Sequence, residues 1–118
     1  MNYSIFIYET AEDFALRTDP AKQGAHFGAW MQYFERVREA GIMRGGTGLM
    51  PPDTATTVKL RNGQRLVEDG PYADTKEQLG GVFMIEVPDL DTALDWAAQC
   101  PGAKTGSLEI RPNLPPMK

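Results

Sequence analysis

Three apolar runs separated by polar segments predict the buried strands of this chain. The run YSIFIY, from Tyr3 to Tyr8, is β-branched and aromatic and predicts a buried strand. GGVFMIEV, from Gly80 to Val87, is almost entirely apolar and predicts a central strand. GSLEIRP, from Gly106 to Pro112, predicts a last short strand.

Two stretches instead show the three- and four-residue spacing of an amphipathic helix. Asp19 and Pro20 are typical N-cap and N1 residues and predict a helix start, and Gly41 is suited to end that helix. Its predicted apolar stripe is Phe27, Trp30, Met31, Phe34 and Val37. Gly24 and Gly28 each weaken a helix by about 1 kcal/mol relative to alanine, so either the backbone approaches something there or the helix begins later.

The second helix is predicted to begin at Pro88-Asp89 and to end at Pro101-Gly102. Its predicted buried stripe is Leu90, Ala93, Leu94, Ala97 and Cys100.

Glycines mark the middle of the chain. In IMRGGTGLM, from Ile42 to Met50, they interrupt a strand-like run and indicate a bulge or a close backbone contact. Asn62-Gly63 predicts a hairpin between TATTVKL and QRLVE. A two-residue loop pairs Val58 with Val67 but sets Lys59 beside Leu66, which leaves the register open and a bulge as the alternative.

The order of elements, β-α-β, hairpin, β-α-β, predicts one α+β domain over residues 1–118 with a ferredoxin-like antiparallel sheet. Both helices are expected on one face of the sheet. The other face is also apolar, so we expect two sheets to pack face to face in a homodimer, a dimeric α/β barrel. Residues 113–118 are expected to form an extended or frayed tail.

Composition excludes several classes of protein. The net charge is −4 and the basic residues are scattered, which argues against nucleic acid as a partner. No apolar run approaches the roughly 18 residues of a membrane span, and the N-terminus lacks a signal peptide pattern. Cys100 is the one cysteine, so no internal disulfide can form. We therefore expect a cytoplasmic protein without a membrane segment.

Several motifs in order resemble the DGPF-type proteins of the YCII-related family. They are GGTGLMPPDTATTVKLRNGQ and LVEDGPYADTKEQLGG with the strand and helix that follow, and the resemblance runs from about Tyr3 to Pro112. Tyr72 stands where the motif that names the group has Phe. The resemblance implies the same ferredoxin-like fold and dimeric barrel. It also implies a candidate His–Asp pair, whereas the biochemical function of the family is largely unestablished.

The candidate chemistry centres on His26, the single histidine. Helical spacing places it at the border of the apolar stripe, beside Trp30 and Tyr33, where it could reach a pocket between helix and sheet. Asp69 ends a predicted strand and could meet the imidazole, fixing its tautomer. The alternatives are a surface role for His26 and a turn role for Asp69 in Asp69-Gly70-Pro71.

Other residues complete the candidate site. Lys76 could hold an anionic substrate at the pocket mouth, or Thr75-Lys76-Glu77 could be a solvated turn. Trp30, Tyr33 and Tyr72 are candidate pocket residues or core residues. No metal site is expected from one histidine and one cysteine, and the glycines at 45, 46 and 48 lack a phosphate-binding pattern. No cofactor is expected.

Two functions from different classes remain open. One is a small cofactor-independent enzyme that applies His–Asp acid–base chemistry to a small metabolite. The other is a dimeric binding or regulatory module. Its protein partner could be an extracytoplasmic-function sigma factor, because the resemblance includes relatives encoded beside such factors.

Overall fold

The computed structural model describes residues 1–116. Its helices are α1 (Ala11–Leu16), α2 (Gln23–Glu39) and α3 (Leu90–Ala98). Its strands are β1 (Asn2–Glu9), β2 (Met43–Gly48), β3 (Thr56–Arg61), β4 (Gln64–Asp69), β5 (Gln78–Glu86) and β6 (Ser107–Pro112). Short 3-10 turns span Pro52–Thr54 and Pro101–Lys104.

Four strands form an antiparallel sheet in the order β2-β5-β1-β6. Strands β3 and β4 form a separate two-stranded hairpin. With that hairpin set aside, the elements follow the ferredoxin-like order β1, α2, β2, β5, α3, β6. In this order the two strands of each βαβ unit are not neighbours in the sheet. The predicted α+β class and strand arrangement are therefore confirmed.

Alternation along β1 separates the two faces of the sheet. Tyr3, Ile5 and Ile7 are buried under the helices, whereas Phe6 and Tyr8 between them are only half-buried. The same core includes side chains of both longer helices, so α2 and α3 cover one face as predicted. The cluster consists of Tyr3, Ile5, Ile7, Tyr33, Val37, Phe83, Ile85, Val87, Ala93, Ala97 and Cys100.

The start of the first long helix was predicted wrongly. Asp19 and Pro20 form a turn in which the Asp19 carboxylate accepts from the Ala21 amide at 2.9 Å, and α2 begins at Gln23. The later start was the alternative that the glycines had raised. The short helix α1 was not predicted at all. A reciprocal capping box between Thr10 and Asp13 stabilises its first turn.

The buried stripes also differ from the prediction. On α2, Tyr33 and Val37 are fully buried, whereas Phe27 is 45% and Met31 is 70% exposed. The buried face is thus rotated toward Tyr33, whose fully buried ring contacts Phe83 in the sheet with centroids 6.0 Å apart. On α3 the small residues and Cys100 are buried, whereas Leu90 and Leu94 are about half exposed.

The middle of the chain matches the glycine-based predictions. Strand β2 carries a register shift between Met43 and Gly45, and a Cβ on Gly46 would lie 2.7 Å from the Phe83 Cβ. The hairpin adopts the register that pairs Val58 with Val67, without a bulge. Asn62 (φ 51°) and Gly63 (φ 76°) provide the left-handed turn that this register requires.

The tail begins with ordered contacts. Asn113 accepts a hydrogen bond from Ser4 Oγ, and its amide donates to the Asn2 carbonyl. Residues 113–116 have no regular secondary structure, and positions 117–118 of the predicted tail lie outside the described residues.

Candidate functional site

A buried ion pair organises one end of the sheet, where β1 and β2 end and β5 begins. Arg17 Nη2 donates to Glu9 Oε2 at 2.7 Å and to the Gly80 carbonyl at 3.2 Å, and its Nη1 donates to the Leu49 carbonyl. Glu9 is only 3% exposed. A Cβ on Gly80 would lie 1.7 Å from Glu9 Oε2, so only glycine leaves room for the carboxylate. One guanidinium therefore ties three strand ends together.

The first turns of α2, which carry His26, point toward this same end. His26 shares a line of α2 with Tyr33 and Val37, which follow it by seven and eleven residues. Tyr33 contacts Phe83, which pairs with Ile5, and Trp30 packs beside Ile7 and Gly102. Continuing one turn toward the start of α2 therefore leads past Ile7 to the end of β1 that carries Glu9.

The imidazole of His26 is half-buried and therefore partly accessible to solvent. Its nearest aromatic neighbour is Phe27, with ring centroids 5.2 Å apart in an edge-to-face arrangement. Within residues 1–116 neither ring nitrogen of His26 makes a hydrogen bond. A partly accessible imidazole without a partner can accept or donate a proton once a ligand or carboxylate approaches.

Trp30 and Tyr33 are brought together, with ring centroids 6.5 Å apart. Trp30 is half-buried and also stacks on Phe34 at 5.7 Å. Tyr33 has no exposed surface, its hydroxyl donates to the Trp96 carbonyl at 2.7 Å, and burial raises the pKa of its phenol well above the ordinary value. In this chain Tyr33 thus supports Trp30 from within the core.

Asp69 lies at the base of the hairpin. It is exposed and sits opposite Thr56, and the Gly70 amide (φ 101°) donates to the Ala55 carbonyl at 2.7 Å. This bond extends the pairing of β3 and β4 by one residue, and the chain bends at Gly70 within the predicted turn segment Asp69-Gly70-Pro71. Because cross-strand partners share a face, Asp69 lies on the same face of the hairpin as Val58 and Val67.

The remaining candidate residues follow the hairpin. Tyr72 is 82% exposed, and Lys59 Nζ lies 5.7 Å from the centre of its ring. Lys76 is exposed in the loop before β5. Gln78 braces this loop, since its amide nitrogen donates to the carbonyls of Ala73 and Thr75.

A groove of about 290 Å³ opens at the hairpin base. It is lined by Leu49, Met50, Pro51, Pro52, Thr54, Ala55, Pro71, Gln78 and Leu79. Asp69 adjoins it through Gly70 and Pro71, and Arg17 holds its wall through the Leu49 carbonyl. Within residues 1–116 of one chain, no hydrogen bond or ion pair joins His26 to Asp69.

The sequence analysis missed the Glu9–Arg17 pair. The signal was present, because Glu9 continues the inward register of Tyr3, Ile5 and Ile7. A carboxylate in a buried strand position needs a cation nearby. The groove gave no such signal, since its walls come from three separate segments of the chain.

The remaining observations concern the thiol, the possible metal ligands and the length of the helices. Cys100 is 1% exposed and burial raises the pKa of its thiol to about 12, so it stays protonated at neutral pH. Across residues 1–116 no cluster of three His, Cys, Asp or Glu side chains is placed to hold a metal ion. In the same residues, no helix has both the length and the apolar character to cross a membrane.

The fold defines an α+β protein whose sheet carries both long helices on one side and whose candidate site lies at one end of that sheet. The chain belongs to the family of the YCII-related domain, whose model matches residues 1–115. The resemblance seen in the sequence is therefore confirmed.

The known proteins similar to this chain include a bacterial relative and a solved structure. The uncharacterized protein R00369 of Rhizobium meliloti (strain 1021) is 43% identical over 76 residues, which are 63% of this chain and 61% of that protein. The chain thus matches less than two thirds of the length of that relative. The 5-chloro-2-hydroxyhydroquinone dehydrochlorinase (TftG) of Burkholderia phenoliruptrix AC1100, in complex with 2,5-dihydroxybenzoquinone, has a similar structure. Its TM-score is 0.57 at 14% identity, covering 97% of this chain and 94% of that one, which shows a shared fold.

Proposed function

We propose that this protein is a small, cofactor-independent enzyme that performs general acid–base chemistry on a small polar or aromatic metabolite. His26 moves the proton, and Asp69 orients the imidazole. The observation that carries the proposal is the state of His26. It is the one histidine of the chain, it is half-buried in the early turns of α2, and its ring nitrogens make no hydrogen bond within residues 1–116.

The roles follow from the chemistry of the side chains. A carboxylate that accepts from one imidazole nitrogen leaves the other nitrogen as the base. Such a pair can abstract a proton from an acidic C–H or O–H and return it elsewhere, as in isomerisation or elimination. Trp30, supported by Tyr33, supplies an aromatic wall beside His26. Tyr72 and Lys76 follow Asp69 in the chain and are exposed, and the ammonium of Lys76 suits an anionic substrate.

The similar structure of a dehydrochlorinase supports this choice of class. That protein is an enzyme with a small cyclic ligand, and it has the same fold. At 14% identity the likeness does not transfer its substrate.

The proposal includes a homodimer through the open face of the sheet. Phe6, Tyr8, Val82 and Met84 lie on the side that α2 and α3 do not cover, and all four are half-buried. Apolar side chains on an uncovered sheet face are typical of an intersubunit surface. A second copy would enclose these residues between two sheets.

The test is solvent exchange into candidate substrates. Wild type, His26→Gln and Asp69→Asn would be incubated in D2O with a panel of hydroxylated aromatic and small carboxylic compounds. Mass spectrometry would record deuterium uptake or new products. Loss of a general base lowers the rate by about 10²- to 10⁴-fold, so His26→Gln should lose nearly all conversion. Gln32→Ala, an exposed change on the same helix, is the control. Equal rates in wild type and His26→Gln would contradict the proposal.

One observation favours the second candidate, a non-catalytic binding module. The hairpin exposes Val58, Leu60 and Val67 at 64%, 68% and 55%. An apolar surface of this kind suits a protein partner, such as the sigma factor that the resemblance suggests. A protein that converts none of the panel, and whose self-association leaves the hairpin uncovered, would favour this module.

A further inference from the structure

The hairpin is the least supported part of the fold. Its two strands form a sheet of their own, separate from the four-stranded sheet. A lone two-stranded hairpin is marginally stable in water at best. The Cα radius of gyration is 16.2 Å, against about 13.5 Å for a compact chain of this length. The hairpin therefore projects from the body and lacks the packing that strands normally need.

Its two faces differ. One carries Thr57 and Lys59, which are half-buried, and Lys59 contacts the Tyr72 ring. All six side chains that the register places on the other face are exposed: Thr56, Val58, Leu60, Arg65, Val67 and Asp69. Its centre is apolar. We call this set the open hairpin face.

Charge indicates what covers the open hairpin face. From Lys59 to Arg65 the tip carries three basic residues and no acid, in a chain whose net charge is −4, and Arg65 lies on the open hairpin face itself. The rest of the chain is therefore strongly acidic. Exposed acids include Asp91 and Asp95 on α3. A basic tip on an acidic body is complementary to another copy of the same body.

We infer that the hairpin packs its open face on a second copy of this chain, and that Asp69 thereby enters a site completed between the two copies. The apolar centre supplies the contact and the basic tip orients it. Asp69 lies on the open hairpin face, at the end nearest the four-stranded sheet. The part that concerns the pairing of Asp69 with His26 of the other copy rests on the proposed function, whereas the hairpin contact does not.

The contact is tested with two leucines on opposite faces of the same hairpin. Leu60 lies on the open face and Leu66 on the other, exposed at 68% and 42%. Analytical ultracentrifugation would measure self-association of wild type, Leu60→Asp and Leu66→Asp. Loss of a buried leucine should raise the dissociation constant of Leu60→Asp by on the order of ten- to a hundredfold, with a much smaller effect for Leu66→Asp. A protein that is monomeric at all concentrations, or equal effects of the two variants, would overturn the inference.

A second measurement does not depend on an apolar site tolerating a charge. A spin label would be attached to a Gln64→Cys variant at natural isotope abundance, at an exposed position beside the hairpin turn. This protein would be mixed with ¹⁵N-labelled wild type. The native Cys100 is buried and shielded from the label. Broadening of amide signals in the ¹⁵N chain is expected, because the tip then lies on the second copy. The absence of broadening between chains, under conditions where they associate, would refute the contact.

Mixed chains also locate Asp69. An Asp69→Asn chain carrying ¹⁵N would be mixed with excess unlabelled wild type, and the ring ¹⁵N shifts of its single His26 would be recorded. If Asp69 comes from the other copy, these shifts move to the wild-type position. If they keep the Asp69→Asn position, the pairing between copies is wrong. If Asp69→Asn never alters the ring, the proposed function fails, while the ultracentrifugation and spin-label results still decide the hairpin contact.

Discussion

Replacing Arg17 with methionine tests the buried ion pair that holds the candidate site in place. Methionine keeps much of the volume and removes the charge and every donor. Glu9, with its side chain 4% exposed, would then remain as a carboxylate without a cation. The carbonyls of Leu49 and Gly80 would lose their guanidinium partner.

The expected loss is large. Breaking a buried pair by removing one partner costs about 3–5 kcal/mol, because an uncompensated charge stays buried. Unfolding entropy of about 2.1 cal/mol/K per residue gives roughly 0.25 kcal/mol/K for a chain of this size. The melting temperature should therefore fall by about 12–20 °C.

Urea unfolding followed by circular dichroism would measure the loss. The matched control is Arg111→Met, because Arg111 forms an ion pair with Glu109 in which the two side chains are 71% and 42% exposed. That variant should lose less than about 1 kcal/mol. The double variant Glu9→Gln, Arg17→Met should be more stable than Arg17→Met alone, since no charge remains buried. Equal losses for Arg17→Met and Arg111→Met would refute the reasoning.

Three other predictions concern glycine positions, a helix cap and the thiol. Gly28→Ala should raise the free energy of unfolding by about 1 kcal/mol, because no atom lies within 4 Å of the new Cβ. Gly106→Ala should lower the free energy of unfolding, because its Cβ would meet a strand carbonyl at 2.1 Å. Urea unfolding measures both changes. Hydrogen bonds from Thr92 lower the pKa of the N-cap Asp89, so wild type should be more stable than Asp89→Asn at neutral pH. This stability difference should disappear as the pH falls through the lowered pKa of Asp89. Equal stability differences at pH 7 and pH 2 would contradict the prediction. Because burial raises the pKa of Cys100 to about 12, the thiol ionises at lower pH in the unfolded chain than in the folded one. Stability should therefore fall as pH rises above the ordinary thiol range, and a thiol reagent should react only on unfolding. A Cys100→Ala variant with the same alkaline decline would contradict the assignment.

Much of the fold follows from local patterns in the sequence. The four sheet strands and the hairpin were predictable because apolar alternation and Asn62-Gly63 report directly on backbone geometry. The rotation of the buried face of α2 was not predictable, because Phe27 and Met31 satisfy the same helical spacing as the residues that are buried. Periodicity identifies a stripe, and only tertiary packing decides which edge of it faces the sheet.

The candidate site was less predictable than the fold. Single residues such as His26 and Asp69 could be singled out by type and position, but their separation depends on how the hairpin leaves the body. Helix α1 has only six residues, so its periodicity was too short to detect. Its signal was the capping box at Thr10 and Asp13, which a search for cap patterns would find.

The central claim, that Asp69 orients His26 for acid–base chemistry, is tested most directly by the ring ¹⁵N shifts of the single histidine. Spectra of wild type and Asp69→Asn would be compared at neutral pH and at a concentration where the protein self-associates. A carboxylate fixes one tautomer, so the account predicts two well-separated ring nitrogen shifts in wild type and a collapse toward the averaged tautomer pattern in Asp69→Asn. Identical ring shifts in the two proteins would contradict it.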